Sequence, residues 1–229
     1  MSGVVCAWVL GVLGVLMDAW FIVTDRRGAL RRAVPLKGAA SALFAAVGLL
    51  GAAGSPSLFA WTVAAGLVAG ALGDVLMAAR HLCEGTAKNV FLGVGIVAFA
   101  LGHVLYLAAL LGVGANVLAT VLLSAAICAV LWPFFAKRVK APTPLIGRLG
   151  YSYLVVVSTM SAAAIAWAVF SPSPQSVCMA IGAVTFELSD ACMVLNGYSL
   201  QPGRPPRPFN LAIYYAAQLL VAASLWLPA

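Results

Sequence analysis

Four carboxylic acids, Asp18, Asp74, Glu187 and Asp190, stand inside long apolar runs of this chain. An ionisable side chain costs at least about 2.5–3.5 kcal/mol near the middle of a membrane-spanning helix, so it normally turns toward the bundle interior and marks a site by default. Groups of this kind handle protons or hold a cationic group. Glu187 precedes Asp190 by one helical turn, which puts both on one face.

The elements that carry these acids read as membrane spans. Of the 229 residues, 64% are hydrophobic and 8% charged, against about 25% charged in a soluble domain. A helix needs about 20 apolar residues to cross the hydrocarbon layer. Gly, Pro, Ser and charged breaks divide the chain into eight such stretches, near 3–23, 35–53, 58–79, 89–111, 115–136, 149–170, 175–196 and 208–228. The expected fold is all-α: a single polytopic membrane domain of eight transmembrane helices. The first span has no basic leader and no small-residue cleavage site, and reads as a retained helix.

The net charge of +7 reports topology rather than a nucleic-acid partner. All thirteen basic residues fall in or beside alternate connections: Arg26, Arg27, Arg31, Arg32 and Lys37; Arg80 and Lys88; Lys137, Arg138, Lys140 and Arg148; Arg204 and Arg207. By the positive-inside rule these connections are cytoplasmic and both termini face outward, in an integral protein expected in a bacterial plasma membrane. Trp20, Trp132 and Trp226, near helix ends, read as interfacial anchors, and His81, in a connection, as a solvated residue. The five cysteines show no paired or metal-binding spacing and read as small packing residues. No phosphate-binding glycine loop, nucleophile elbow or zinc-protease helix is present. No cofactor and no protein partner is expected, and the sequence is silent on oligomeric state.

With a rise of about 1.5 Å per residue, Asp74 lies roughly 7 Å inside the cytoplasmic end of the third helix, and Asp190 at a similar depth in the seventh. Asp18 reaches nearly the same level in the first, and Glu187 lies one turn deeper. Tyr214 and Tyr215 fall into the aspartate layer, Gln218 a turn further in, and Lys37 just above it. The segments "GLVAGALGDVLM" and "GAVTFELSDACM" share a glycine, the aspartate and a methionine at matching positions. They lie on the third and seventh helices, four spans apart, so both helices run the same way, as a tandem repeat of four helices requires.

Several segments together resemble the YhhN or lysoplasmalogenase family of polytopic membrane proteins. They are "GDVLM" at 73–77, "FALGHVLYL" at 99–107 with His103 and Tyr106, "YSYLVVVSTM" at 151–160, "GAVTFELSDACMVLN" from 182 and the later "YYAAQLLVAAS". Two positions depart from the family's pattern: Lys37 is followed by Gly instead of Pro, and Glu187 replaces an apolar residue. The resemblance implies hydrolysis of the vinyl ether of a membrane lysophospholipid, releasing a fatty aldehyde and glycerophospho-ethanolamine or glycerophosphocholine. Such a bond is cleaved by protonation on carbon, addition of water to the oxocarbenium ion and collapse of the hemiacetal. Two carboxyl groups in opposite protonation states suit those steps. Asp74 and Asp190 are the expected acid/base pair, with Lys37, His103, Tyr106, Glu187, Tyr214, Tyr215 and Gln218 as substrate-binding residues and Lys37 on the phosphate. Depth places His103 roughly 12–13 Å beyond the aspartates. Two alternatives use the same acids: a small transporter or channel that binds protons or a cationic solute, and a metal-dependent site with Asp74, Glu187, Asp190 and His103 as ligands.

Overall fold

The structure, a computed structural model, describes residues 2–200 and 206–229. Arg204 and most of the last connection lie outside them. The described chain forms eight helices: α1 (Ser2–Arg26), α2 (Leu30–Gly54), α3 (Leu58–Ala79), α4 (Gly85–Gly112), α5 (Val117–Arg138), α6 (Pro144–Phe170), α7 (Pro174–Tyr198) and α8 (Arg207–Ser224), with a 3-10 turn at Arg80–Leu82. Side-chain oxygens of Ser57, Asn116, Thr143 and Ser173 accept from backbone N–H groups in the first turns of α3, α5, α6 and α7, satisfying donors that have no partner within the helix.

Seven of the helices are long and apolar enough to cross a membrane. The eighth was expected over 208–228 but closes at Ser224. Its last N–H groups, from Leu225 to Leu227, turn back three residues to carbonyls, and Pro228 disfavours helix in the residue before it. α8 also carries a buried polar face, with Asn210, Tyr214, Tyr215 and Gln218. Its place is inside the bundle, against α7, α2, α1 and α3.

The second helix was expected to begin at Pro35 and begins instead at Leu30, with Pro35 inside it. Gly28, at φ +71°, turns the chain so sharply that only three residues separate α1 from α2, a conformation that favours glycine. Proline costs α2 one bond, to the carbonyl four residues earlier.

The two halves of the bundle pair in the same way. α1 packs on α2, α2 on α3 and α3 on α4, and likewise α5 on α6, α6 on α7 and α7 on α8. The halves meet through α2 against α8 and α4 against α6, contacts that exchange when the halves are exchanged, and α8 packs in addition on α1 and α3. Local geometry agrees. Ser55-Pro56-Ser57 and Ser171-Pro172-Ser173 make the same turn, with φ, ψ of −136°, 72° and −140°, 68° at the first serines, and −146°, 161° and −150°, 161° at the last. Laying Ser57 on Ser173 without a gap lays Gly66 on Gly182, Asp74 on Asp190 and Met77 on Met193. It also lays Lys37 on Tyr153.

Glycines on α3 make room for the site. A Cβ at Gly66 would stand 2.3 Å from a ring carbon of Tyr106, at Gly70 2.9 Å from Gln218 Nε2, and at Gly73 2.8 Å from Phe99. The α4 backbone approaches just as closely, since a Cβ on Gly102 would lie 2.9 Å from the Gly66 carbonyl. Small residues at such crossings let helices pack where lipid supplies no hydrophobic driving force. Trp226 is no free anchor: its indole N–H donates to the Val47 carbonyl at 3.1 Å.

Candidate active site

Asp74, 1% exposed, is the centre of a polar cluster between α2, α3 and α8. Lys37 Nζ lies 2.8 Å from Oδ1, and the hydroxyls of Ser41 and Tyr214 each donate to Oδ2 at 2.6 Å. Gln218 Nε2 donates to the Tyr214 oxygen at 3.0 Å, and the Tyr106 hydroxyl approaches Gln218 Oε1 at 3.5 Å. Tyr215 hydroxyl stands 3.4 Å from both Ser41 Oγ and the Lys37 carbonyl. Three helices, α2, α8 and α4, thus fix the carboxyl group of α3 through direct or relayed donors.

Asp190 is held differently. The hydroxyl of Tyr153, on α6, donates to its Oδ2, and no basic side chain among the described residues forms an ion pair with it. Glu187 turns to Ser158, whose hydroxyl donates to Oε1 at 2.6 Å.

Two cavities meet at Asp190. One, of about 200 Å³, is polar and is lined by Lys37, Asp74, Arg80, His81, Arg207 and Tyr214 among others. The other, of about 140 Å³, is apolar, with walls from α4, α5, α6 and α7, and Glu187 and Tyr153 on its margin. Asp190, Met77, Arg80, Phe99 and Met193 line both. At the basic end, the apolar cavity is bordered by Val139, Ala141 and Pro142. That connection is tied to the end of α7 by paired backbone bonds, Lys140 N–H to Tyr198 and Leu200 N–H to Arg138.

Of the expected site residues, Asp74, Asp190, Lys37 and Tyr214 share the polar cavity, and Glu187 lines the apolar one. Tyr106, Tyr215, Gln218 and His103 line neither; Tyr215 and Gln218 stand behind Tyr214, His103 behind Tyr153, and Tyr106 behind Gln218. His103 is nearer the aspartates than its depth suggested. Its ring centroid is 5.5 Å from that of Tyr153, which reaches Asp190, and 4.5 Å from Phe186. Its Nδ1 is 2.7 Å from the Phe99 carbonyl; a carbonyl only accepts, so Nδ1 carries the hydrogen. Lys37 was expected on a phosphate, but its ammonium is engaged by Asp74. His81 faces the polar cavity rather than open solvent. The four expected metal ligands are not gathered: no three His, Cys, Asp or Glu side chains cluster suitably among the described residues. Asp18 is buried with Oδ1 unbonded, while the ion pair near that end joins Arg207 to Asp25 through two contacts of 2.8 and 2.9 Å.

Sequence reasoning passed over Ser41, Tyr153 and Arg80. A signal for Tyr153 existed: it stands as far before Asp190 as Lys37 stands before Asp74.

A model of the YhhN family matches residues 32–225, most of the chain, including both aspartate helices and the residues that bond to the two carboxyls, Lys37, Ser41, Tyr153 and Tyr214. This chain belongs to the YhhN family. No curated protein matches it, and no solved structure does. YhhN membership is consistent with a lysoplasmalogenase-type hydrolase, and the polar cluster lies on the helices the family match covers.

Proposed function

We propose that this YhhN protein hydrolyses the vinyl ether of lysoplasmalogens, alkenyl-glycerophosphoethanolamine or alkenyl-glycerophosphocholine, to a fatty aldehyde and the glycerophospho alcohol. The observation that carries the reading is the position of Asp190, at the junction of a cation-lined polar cavity and an apolar one. A lysolipid has the same two-part form: its headgroup suits the first cavity, its chain the second, and its vinyl ether lies where they join.

Asp190 serves as the acid and Asp74 as the anion. Asp74 is paired with one ammonium and accepts from two hydroxyl groups, surroundings that suit a carboxylate. Asp190 accepts one phenol hydrogen bond, which leaves its second oxygen to deliver a proton. That proton passes to the vinyl carbon on the chain side, and the bond electrons leave an oxocarbenium ion at the ether carbon. Water adds there and gives a proton to Asp74, which also stabilises the cation. As the hemiacetal collapses, its hydroxyl proton returns to Asp190, the carbon–oxygen bond breaks, and the glycerol oxygen takes the proton from Asp74. Both carboxyls end as they began. The alternating basic connections support an opening toward the cytoplasmic leaflet.

The direct test incubates purified protein in nanodiscs with an alkenyl lysolipid and assays aldehyde. Turnover by the wild type and its loss in Asp190→Asn are expected. Absence of aldehyde from the wild type, with uptake of protons or cations into proteoliposomes instead, would turn the assignment to transport.

A further inference from the structure

Three basic side chains outside the histidine line the polar cavity, and their charges are not balanced alike. Lys37 is paired with Asp74, and Arg207 makes a two-point contact with Asp25. Arg80 has no carboxylate partner among the described residues. Its Nη1 donates to the hydroxyl of Tyr198 at 3.0 Å, and its Nε is buried with no hydrogen-bond acceptor. Arg80 as a whole is half-buried, but a guanidinium N–H shut off from water with no acceptor is costly, and the side chain stands at the seam, on the walls of both cavities.

We propose that Arg80 binds the phosphate of the substrate's headgroup. This rests on the lysolipid reading above and deepens it. The planar fork of Arg80 suits two oxygens of a phosphodiester, and its place at the seam sets the vinyl ether against Asp190 once the phosphate is held. Tyr198 orients the guanidinium through its hydroxyl. The site takes an anionic phosphodiester on a single-chain lipid, and a neutral alkenylglycerol engages it poorly.

The test compares kcat/KM for alkenyl-glycerophosphoethanolamine with that for 1-alkenylglycerol, which has the same vinyl ether and no phosphate. In Arg80→Gln the ratio falls about tenfold or more, mainly through KM of the phospholipid. Arg80→Lys falls less, because a point charge replaces the fork. Tyr198→Phe, which removes only the tether, keeps the ratio within about threefold of the wild type. A ratio unchanged in Arg80→Gln while the wild type turns over overturns the anchor and leaves the hydrolase reading standing. Binding of the uncleavable 1-alkyl-glycerophosphoethanolamine separates the two ideas from the other direction. Binding that weakens tenfold in Arg80→Gln, in a protein that cleaves nothing, supports the anchor and sinks the hydrolase. Inorganic phosphate that competes as strongly as glycerophosphoethanolamine would reassign the site to free phosphate and overturn the lipid source.

Discussion

Lys37 and Tyr153 hold equivalent positions in the two halves of the bundle, and each is bonded to the aspartate of its own half. The turns that close their two helices repeat as well, down to the dihedral angles of the connecting serines. What differs is the donor: an ammonium in the first half, a phenol in the second. A duplicated scaffold thereby presents two carboxyls with unlike partners, which is what acid and base roles require.

That division is testable at Tyr153. Tyr153→Phe removes a neutral donor and should lower kcat about tenfold. Tyr153→Lys makes the second half a copy of the first and places a cation on the acid. Its kcat should fall more than about a hundredfold, the range expected when general acid catalysis is lost. Steady-state aldehyde release measures both, and a Tyr153→Lys enzyme as active as Tyr153→Phe contradicts the assignment of Asp190 as acid.

The chemistry itself leaves a label. Protonation on carbon in D2O puts one deuterium on the aldehyde carbon next to the carbonyl, which mass spectrometry of the trapped product detects. Asp190→Asn should reduce the rate by about 10²–10⁴-fold. Unlabelled aldehyde would exclude carbon protonation and with it the roles given to both acids.

The ion pair has a stability signature. Removing one partner of a buried pair leaves the other charge stranded and costs about 3–5 kcal/mol. Lys37→Met should therefore unfold at clearly lower denaturant, and adding Asp74→Asn should recover half or more of the loss. Denaturation in micelles followed by tryptophan fluorescence gives both values. Additive losses would mean that the 2.8 Å contact contributes no coupling.

The all-helical fold and the two aspartates that line one cavity were legible in the sequence because each follows from a large cost: apolar length for a span, or a buried carboxyl in hydrocarbon. Depth along a helix is also a simple product of residue count and rise. Lateral neighbours are not. His103 read as remote because axial distance ignores the edge-to-face ring contact that links it to Tyr153, and Tyr106, Tyr215 and Gln218 fell behind the walls for the same reason. Arg80 carried the ordinary signature of a basic helix end; only the absence of a carboxylate beside it distinguishes it, and that requires side chains to be placed. Pro35 misled the start of α2 because a proline near a helix N-terminus is tolerated inside as well as at the first position.

Gly70 links packing to chemistry. A methyl there would stand 2.9 Å from Gln218 Nε2, the group that donates to Tyr214, which in turn donates to Asp74. Gly70→Ala should cost about 1–3 kcal/mol, as overpacking does, and lower kcat beyond what loss of folded protein explains. Gly66→Ala, which meets the Tyr106 ring and the α4 backbone, should be the more destabilising of the two. Thermal midpoints and specific activity per folded molecule distinguish the effects.

The apolar cavity predicts a limit on chain length. Gly150, on α6, lines it, and a Cβ at that position meets nothing within 4 Å, so a larger side chain enters free space instead of straining the helix. Gly150→Leu should fill part of the 140 Å³ volume and crowd long alkenyl chains while leaving room for short ones. Each buried methylene is worth about 0.8 kcal/mol, so displacing two or three of them raises KM for a long-chain lysolipid roughly tenfold or more, with little change for a short-chain one. Measuring KM across a series of chain lengths gives the answer directly. An equal rise at every length would place the chain elsewhere and detach this cavity from the substrate.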